Sequence, residues 1–144
     1  MPFTGGDMQK ITIAYIANGK STNRYHLPFF LQLQDRFQVK TIYARQLEKT
    51  EWKREDGIRY TDKIEDIYED PDIDLVVICT PAPFHYTYVK EVLSHNKHCV
   101  CEKPFMETEA QAKECFSLAK EKGLLLECYQ NRRFDSDFLT VQKV

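Results

Sequence analysis

The chain has 144 residues, of which 42% are hydrophobic and 29% are charged, and its formal net charge is -2. This length suffices for one domain with a sizeable core. The small net charge argues against a general nucleic-acid-binding protein, because such domains carry a strong basic excess. No apolar run reaches the roughly 20 residues that cross a bilayer, and the first seven residues lack the parts of a signal peptide. We therefore expect a cytoplasmic globular protein with neither a nucleic-acid nor a membrane partner.

The first half of the chain alternates between strand and helix patterns. A short apolar run over 10–16 predicts the first strand. Apolar residues at helical spacing predict a helix over 23–35, and Pro28 lies where a first turn tolerates proline. A second strand over 37–44, a charged loop over 48–57, a short third strand over 57–60 and an acidic helix over 62–69 follow.

The second half repeats the alternation. The continuously apolar residues 75–79 are typical of a central parallel strand that is covered on both faces. Thr108 and Gln111 resemble a capping box, and Gly123 suits a helix end in the left-handed region, which predicts a helix between them. The remaining predicted elements are a helix over 84–95, a strand over 98–101, a sixth strand from 124 and a helix that starts at 132.

This alternation indicates an α/β fold, a three-layer, doubly wound parallel sheet with right-handed crossovers. Six strands suit a Rossmann-type dinucleotide-binding domain. We assign that domain to residues 10–134. Residues 1–9 are a lead segment that need not be ordered, and residues 135–144 are the start of a further helix.

The turn after the first strand carries the first candidate site. Against the pattern Gly-x-Gly-x-x-Gly/Ala it keeps only the middle glycine, which lets the backbone approach a pyrophosphate. The following helix would direct free N–H groups at that anion. We predict that this turn binds a dinucleotide, the alternative being an ordinary turn; its residues are Ala17, Asn18, Gly19, Lys20, Ser21 and Thr22. A P-loop is disfavoured because Ala14 stands where that motif needs glycine.

The end of the second strand bears on the choice of cofactor. NAD-selective sites usually place an acid about 20 residues past the glycine turn. Residues 43–46 contain no acid, and Arg45 could meet a 2′-phosphate with help from Lys20 and from Ser21 or Thr22. We therefore expect NADP rather than NAD, the alternative for Arg45 being a solvated arginine.

Further candidates follow the fourth, fifth and sixth strands, whose carboxyl ends border the crevice where ligands bind in open α/β sheets. Thr80 and Pro81, with His85 after them, are predicted to contact the nicotinamide end of a cofactor. Glu102 and Lys103 before Pro104 follow the fifth strand, the alternative being a surface pair before a turn. Asn131 follows the sixth strand, and the two arginines after it could bind an anionic substrate or brace a partner domain, the alternative being surface charge. Taken singly, His85 is more typical of a helix start than of a catalyst.

Metal binding is not expected. The five cysteines, an odd number, include no Cys-x-x-Cys pair and suit reduced thiols of a cytosolic protein. Cys99 and Cys101 share one strand face, but a zinc site needs about four ligands and no second pair has ligand spacing.

These motifs together resemble the glucose–fructose oxidoreductase / inositol dehydrogenase / MocA family. The resemblance rests on Thr80-Pro81-x-x-x-His85, Lys97-His98-x-Val100-x-Glu102-Lys103-Pro104 and Asn131-Arg132-Arg133-Phe134, in this order. It covers nearly the whole chain. It implies a nicotinamide-dependent dehydrogenase that acts on a sugar, polyol or related alcohol.

The resemblance also implies residue roles. Lys103 would lie at the active site and relay or stabilise a proton, and Glu102 would contact the nicotinamide ribose. Family members carry a second, α+β domain that supplies most of the substrate pocket, the principal acid/base residues and much of the oligomer interface, and we expect that domain to lie outside this chain. We therefore expect the cofactor-binding half of an oxidoreductase, inactive alone and homo-oligomeric in the full-length protein. The alternatives are a dinucleotide sensor without catalysis and a structural partner that has lost its ligand.

Overall fold

Six parallel strands form one sheet in the computed structural model, which describes residues 9–143. The strands are β1 (Ile11–Ile16), β2 (Phe37–Tyr43), β3 (Arg59–Thr61), β4 (Leu75–Ile78), β5 (His98–Glu102) and β6 (Leu126–Tyr129). Their order in the sheet is β3-β2-β1-β4-β5-β6, which is the order of a doubly wound dinucleotide-binding fold and confirms the predicted fold class.

The sheet carries an apolar core on each face. One face packs against α2 (Glu65–Tyr68), α3 (His85–Ser94) and α4 (Glu109–Lys122), with Ile67, Val89 and Ala119 among the buried side chains. The other face packs against α1 (Leu27–Phe30), through Leu27 and Phe30. Residues alternate between the two faces along each strand, so Ile13 and Tyr15 join one core while Ala14 and Ile16 join the other.

The first helix differs from its prediction. The chain forms a π-helical turn over Ser21–His26 before α1, and helix ends at Phe30 instead of at residue 35. Leu27 N–H donates to Thr22 O, a step of five residues. Pro28 cannot donate to the turn before it, and its ring would clash with a carbonyl of a continuous α-helix, so the wider turn is the relaxed solution.

This change reorients the apolar side chains of the segment. Four apolar residues have the spacing that predicted the helix; Phe30 is partly buried, whereas Tyr25, Phe29 and Leu33 are 51%, 61% and 42% exposed. His26 and Leu27 are buried in their place. The helical spacing therefore indicated a helix but did not mark the side chains that are buried.

Local signals placed α4 well. Thr108 Oγ1 accepts a hydrogen bond from Gln111 N at 3.2 Å, and Gly123 ends the helix at a φ of 67°. The helical spacing would bury Cys115, Phe116 and Ala119; Cys115 and Ala119 are buried, whereas Phe116 is 46% exposed. α5 (Ser136–Val141) follows a 3₁₀ turn over Asn131–Phe134, and none of its residues is buried.

The ends of the chain bear on two predictions. All but the last residue of the predicted lead segment lies outside the described residues, as does Val144. Among residues 9–143, no helix is long and apolar enough to cross a membrane.

Candidate functional site

The turn after β1 is held in an unusual backbone conformation. Ala17 has a φ of 98°, in the left-handed region that glycine adopts most readily. Its N–H donates to Tyr43 O at 3.0 Å, and its carbonyl accepts from Thr22 Oγ1 at 2.7 Å. The turn thus keeps the shape that the missing first glycine would provide, with alanine in its place.

The neighbouring side chains brace this turn from behind. Asn18 is 5% exposed, and its amide bonds Thr50 Oγ1 at 3.4 Å and Asn23 Nδ2 at 2.8 Å. Thr22 is fully buried. These polar atoms are occupied by the protein itself, so a ligand would meet the turn through its backbone.

Gly19 lies at the open side of the turn. A Cβ built on this glycine would meet no atom within 4 Å. Lys20 beside it is exposed, and the π-helical turn begins at Ser21. The approach that a pyrophosphate needs is therefore free, and the residues present fit a dinucleotide at this position.

Arg45 follows β2 and is exposed. Its Cζ atom lies 5.9 Å from the centroid of the Phe84 ring, which follows β4. The cation and the aromatic ring, a favourable pair at this distance, therefore stand side by side beyond the ends of two neighbouring strands.

Two further cations, Arg24 and Lys49, were not singled out from the sequence. Arg24, Lys49 and Trp52 line a cleft of about 540 Å³ that also reaches Asn18 and Thr50. The Arg24 guanidinium lies 5.5 Å from the centroid of the Trp52 ring. The loop after β2 thus folds back onto the glycine turn.

Glu102, at the end of β5, points into the protein. It is 7% exposed, and its Oε1 atom accepts hydrogen bonds from Ser21 Oγ at 3.0 Å and from His26 Nε2 at 2.7 Å. Its Oε2 atom accepts from Lys103 N at 3.2 Å. Burial raises the pKa of Glu102, but the hydrogen bonds from His26 and Ser21 outweigh it and hold the pKa below its ordinary value.

His85, at the start of α3, is fully buried. Its Nδ1 lies 2.9 Å from Pro104 O and 3.2 Å from Phe105 O, and its Nε2 lies 2.8 Å from Thr80 O. Both ring nitrogens are thus engaged with backbone carbonyls. This placement favours a structural role for His85 over the predicted contact with a cofactor.

Lys103 and Pro81 are exposed at the carboxyl edge of the sheet, after β5 and β4. The Lys103–Pro104 peptide bond is cis. Thr80 Oγ1 is buried and has no hydrogen-bond partner. The structure thus places Lys103, Gly19 and Thr80 at strand ends that share one edge of the sheet.

Asn131 lies farther out, in the exposed 3₁₀ turn after β6. It lines an apolar groove of about 670 Å³ with Tyr129, Phe134 and residues of α1 and of the sheet. Arg132 pairs with Asp135 at 2.8 Å on the surface. These residues border the crevice from its far end.

Within residues 9–143, three side chains lie close enough together to ligate a metal. Ligand atoms of His26, Cys79 and Glu102 all lie within 4.8 Å of one another. The direct contact between His26 and Glu102 already uses their facing atoms. Burial raises the pKa of the Cys79 thiol to about 12, which disfavours the thiolate that a metal would need. The absence of a metal site stays a prediction.

His26 is the functional candidate that the sequence did not reveal. It lies within the predicted helical segment 23–35, where no role was predicted for it, and its partner Glu102 is 76 residues away in sequence. The available signal was a histidine directly before the apolar residues 27–31, which is weak by itself.

Comparisons with known proteins agree with the fold. A family model described as an oxidoreductase family with an NAD-binding Rossmann fold matches residues 11–130. The uncharacterised oxidoreductase YhhX of Escherichia coli (strain K12) is 47% identical over 134 residues, which are 92% of this chain and 39% of that protein. The scyllo-inositol 2-dehydrogenase (NADP(+)) IolW of Bacillus subtilis (strain 168) is 34% identical over 134 residues, 93% of this chain and 37% of that protein.

Solved structures give the same result. The crystal structure of the probable oxidoreductase yhhX has a TM-score of 0.83 and 45% identity, and the match covers 92% of this chain and 39% of that chain. An oxidoreductase from Bacillus cereus has a TM-score of 0.81 and 40% identity, with 93% and 39% covered. The present chain thus spans about two fifths of the length of the relatives named here.

Proposed function

The chain belongs to the glucose–fructose oxidoreductase / inositol dehydrogenase / MocA family of oxidoreductases, and we propose that it is the NADP-binding part of an enzyme that oxidises or reduces a sugar, polyol or related alcohol. The observation that carries the proposal is the shared edge of the sheet. There, the open turn at Gly19 and the exposed Lys103 follow two strands, β1 and β5, that lie on either side of β4.

The dinucleotide would be held by this chain's own groups in three places. Backbone N–H groups of residues 19–22 would bind the pyrophosphate. Arg45 would bind a 2′-phosphate, with its guanidinium held beside Phe84. Thr80 Oγ1, which lacks a partner, and Pro81 would border the nicotinamide end.

Lys103 would serve the reaction at the substrate hydroxyl. The nicotinamide, when bound, supplies the acceptor or donor of the hydride. The Lys103 amine, exposed at the crevice, would hold or move the hydroxyl proton at its Nζ atom. An exposed amine at this edge also favours an enzyme over a sensor without catalysis.

Several features of the whole protein belong to the same proposal. The relatives are more than twice as long, which supports a further domain after residues 10–134 that completes the substrate pocket. The exposed apolar groove beside Phe134 supports association with that domain or with a second copy. The five free cysteines support a cytoplasmic location.

The cofactor proposal is tested by titrating the chain with NADPH and NADH and following nicotinamide fluorescence. We expect tighter binding of NADPH. Arg45→Gln should weaken NADPH binding about tenfold or more, because a hydrogen bond to a charged group contributes roughly 1.5–3 kcal/mol, and should leave NADH binding nearly unchanged.

Arg54→Gln is the matched control. Arg54 is also exposed and also lies over an aromatic ring, that of Tyr60 at 5.5 Å, but it is in the loop before β3. It should leave both affinities unchanged. A folded wild-type chain that binds neither nucleotide would refute the proposed function, and tighter binding of NADH would refute the role of Arg45.

A further inference from the structure

The segment that carries Lys103 is held at its N-terminal side by hydrogen bonds to Glu102. The carboxylate Oε1 receives two hydrogen bonds, from Ser21 and from His26, and both side chains belong to the π-helical turn after β1. Glu102 and His26 are 7% and 4% exposed. A buried ionisable pair with additional hydrogen bonds holds its geometry firmly, because loss of one partner leaves the other uncompensated.

The π-helical turn makes this double contact possible. Ser21 and His26 are five residues apart, and in an α-helix such side chains point about 140° away from each other. The i→i+5 closure brings them towards the same side. Both can therefore reach a single carboxylate oxygen.

The same segment is held at its C-terminal side by contacts of His85 with backbone carbonyls. Its Nδ1 faces the carbonyls of Pro104 and Phe105, and its Nε2 faces the carbonyl of Thr80 at the end of β4. The chain is thus fixed one residue before Lys103 and one and two residues after it.

We propose that two buried histidines, His26 and His85, form a clamp that positions Lys103, and that Glu102 is a positioning residue instead of a ribose ligand. This inference rests on the proposed function, which assigns Lys103 a role at the substrate hydroxyl. It adds that Glu102 links the turn that would bind the pyrophosphate to the lysine that would act on the substrate.

The test uses the variants His26→Phe, Glu102→Gln, their combination, and His85→Gln. The first measurement is amide hydrogen exchange over residues 102–106 without any ligand. The second is the affinity for NADPH, compared with that for adenosine 2′,5′-bisphosphate, which lacks the nicotinamide end; NADH and AMP replace them if NADH binds more tightly.

We expect each single variant at His26 or Glu102 to speed exchange in this segment about tenfold, the usual scale for hydrogen bonds to charged groups, and His85→Gln, which loses contacts with uncharged carbonyls, to speed it about two- to tenfold. Each should weaken NADPH binding by a similar factor, because the segment is joined through His85 to Thr80, which would border the nicotinamide end. Binding of the bisphosphate should change less than twofold. The combination of His26→Phe and Glu102→Gln should be no worse than the more severe single variant, because both remove one interaction. His26→Gln, whose amide can still donate, should restore part of both effects.

Lys97→Met is the control for general destabilisation. Lys97 is 5% exposed and bonds the carbonyls of Asp70 and Ile73, at the other end of β5. It should lower the melting temperature and leave exchange over residues 102–106 and NADPH affinity unchanged.

Two results would overturn the clamp. One is unchanged exchange over residues 102–106 in the His26 and His85 variants. The other is a loss of NADPH binding in Glu102→Gln with none in His26→Phe, which indicates direct contact between Glu102 and the ribose. A wild-type chain that binds no dinucleotide would reject the proposed function, and the exchange data would still decide the clamp.

Discussion

Replacing Ala17 with glycine should stabilise this protein. Ala17 is held at a φ of 98° by the hydrogen bonds of its N–H to Tyr43 O and of its carbonyl to Thr22 Oγ1, so the backbone has little freedom to relax. A left-handed conformation costs an L-residue about 1–2 kcal/mol. Glycine avoids this cost but loses about 0.4–1 kcal/mol more conformational entropy on folding.

The difference predicts a net gain of about 0.5–1 kcal/mol, which raises the melting temperature of a chain of this length by about 2–4 °C. Thermal unfolding followed by circular dichroism measures it. Ala44→Gly is the matched control, because Ala44 follows the end of β2, is 7% exposed and has no positive φ. It should destabilise by about 0.5–1 kcal/mol. Equal losses of stability in the two variants would refute the argument from backbone strain.

Two further predictions concern the same edge of the sheet. Gly19→Ala should fold normally, because its Cβ meets no atom within 4 Å, yet weaken NADPH binding about tenfold by filling the approach to the turn; unchanged affinity in a fluorescence titration would contradict this. Folding lowers the pKa of Glu102 below its ordinary value, so the ionised carboxylate stabilises the folded protein. This stabilisation is full at pH values above the ordinary pKa and is lost as the pH falls through the lowered pKa. The difference in melting temperature between wild type and Glu102→Gln should therefore shrink from pH 7 to pH 3, and a constant difference would show that the carboxylate charge is not the cause.

Much of the fold could be predicted because its signals are local. The apolar run at 75–79 indicated a covered parallel strand, and the structure places β4 between β1 and β5. Thr108 and Gly123 marked the ends of α4 because capping groups lie within a few residues of the backbone groups that they satisfy. The helix over 23–35 was the main error, since its apolar spacing was compatible with more than one way of turning the segment past Pro28.

Part of the candidate site could likewise be predicted from the sequence, and part could not. Gly19, Arg45 and Lys103 were predicted from their positions after strands, and the structure leaves Gly19 open and the two cations exposed. The inward direction of Glu102 and the hydrogen-bond partners of His85 could not be predicted from the sequence. A side chain near a strand end can point to a ligand or to the protein interior, and the sequence does not distinguish the two.

The sequence by itself determined the order of strands and helices, the doubly wound sheet and the edge at which the candidate residues lie. These follow from hydrophobic period and from short-range turn chemistry. Only the tertiary structure decided that His26 and Glu102, 76 residues apart, form a buried pair and that Ala17 takes a conformation suited to glycine. Such features depend on where distant segments meet, and the physical reason is that buried polar groups must find partners from whichever segments the packing brings within hydrogen-bond distance.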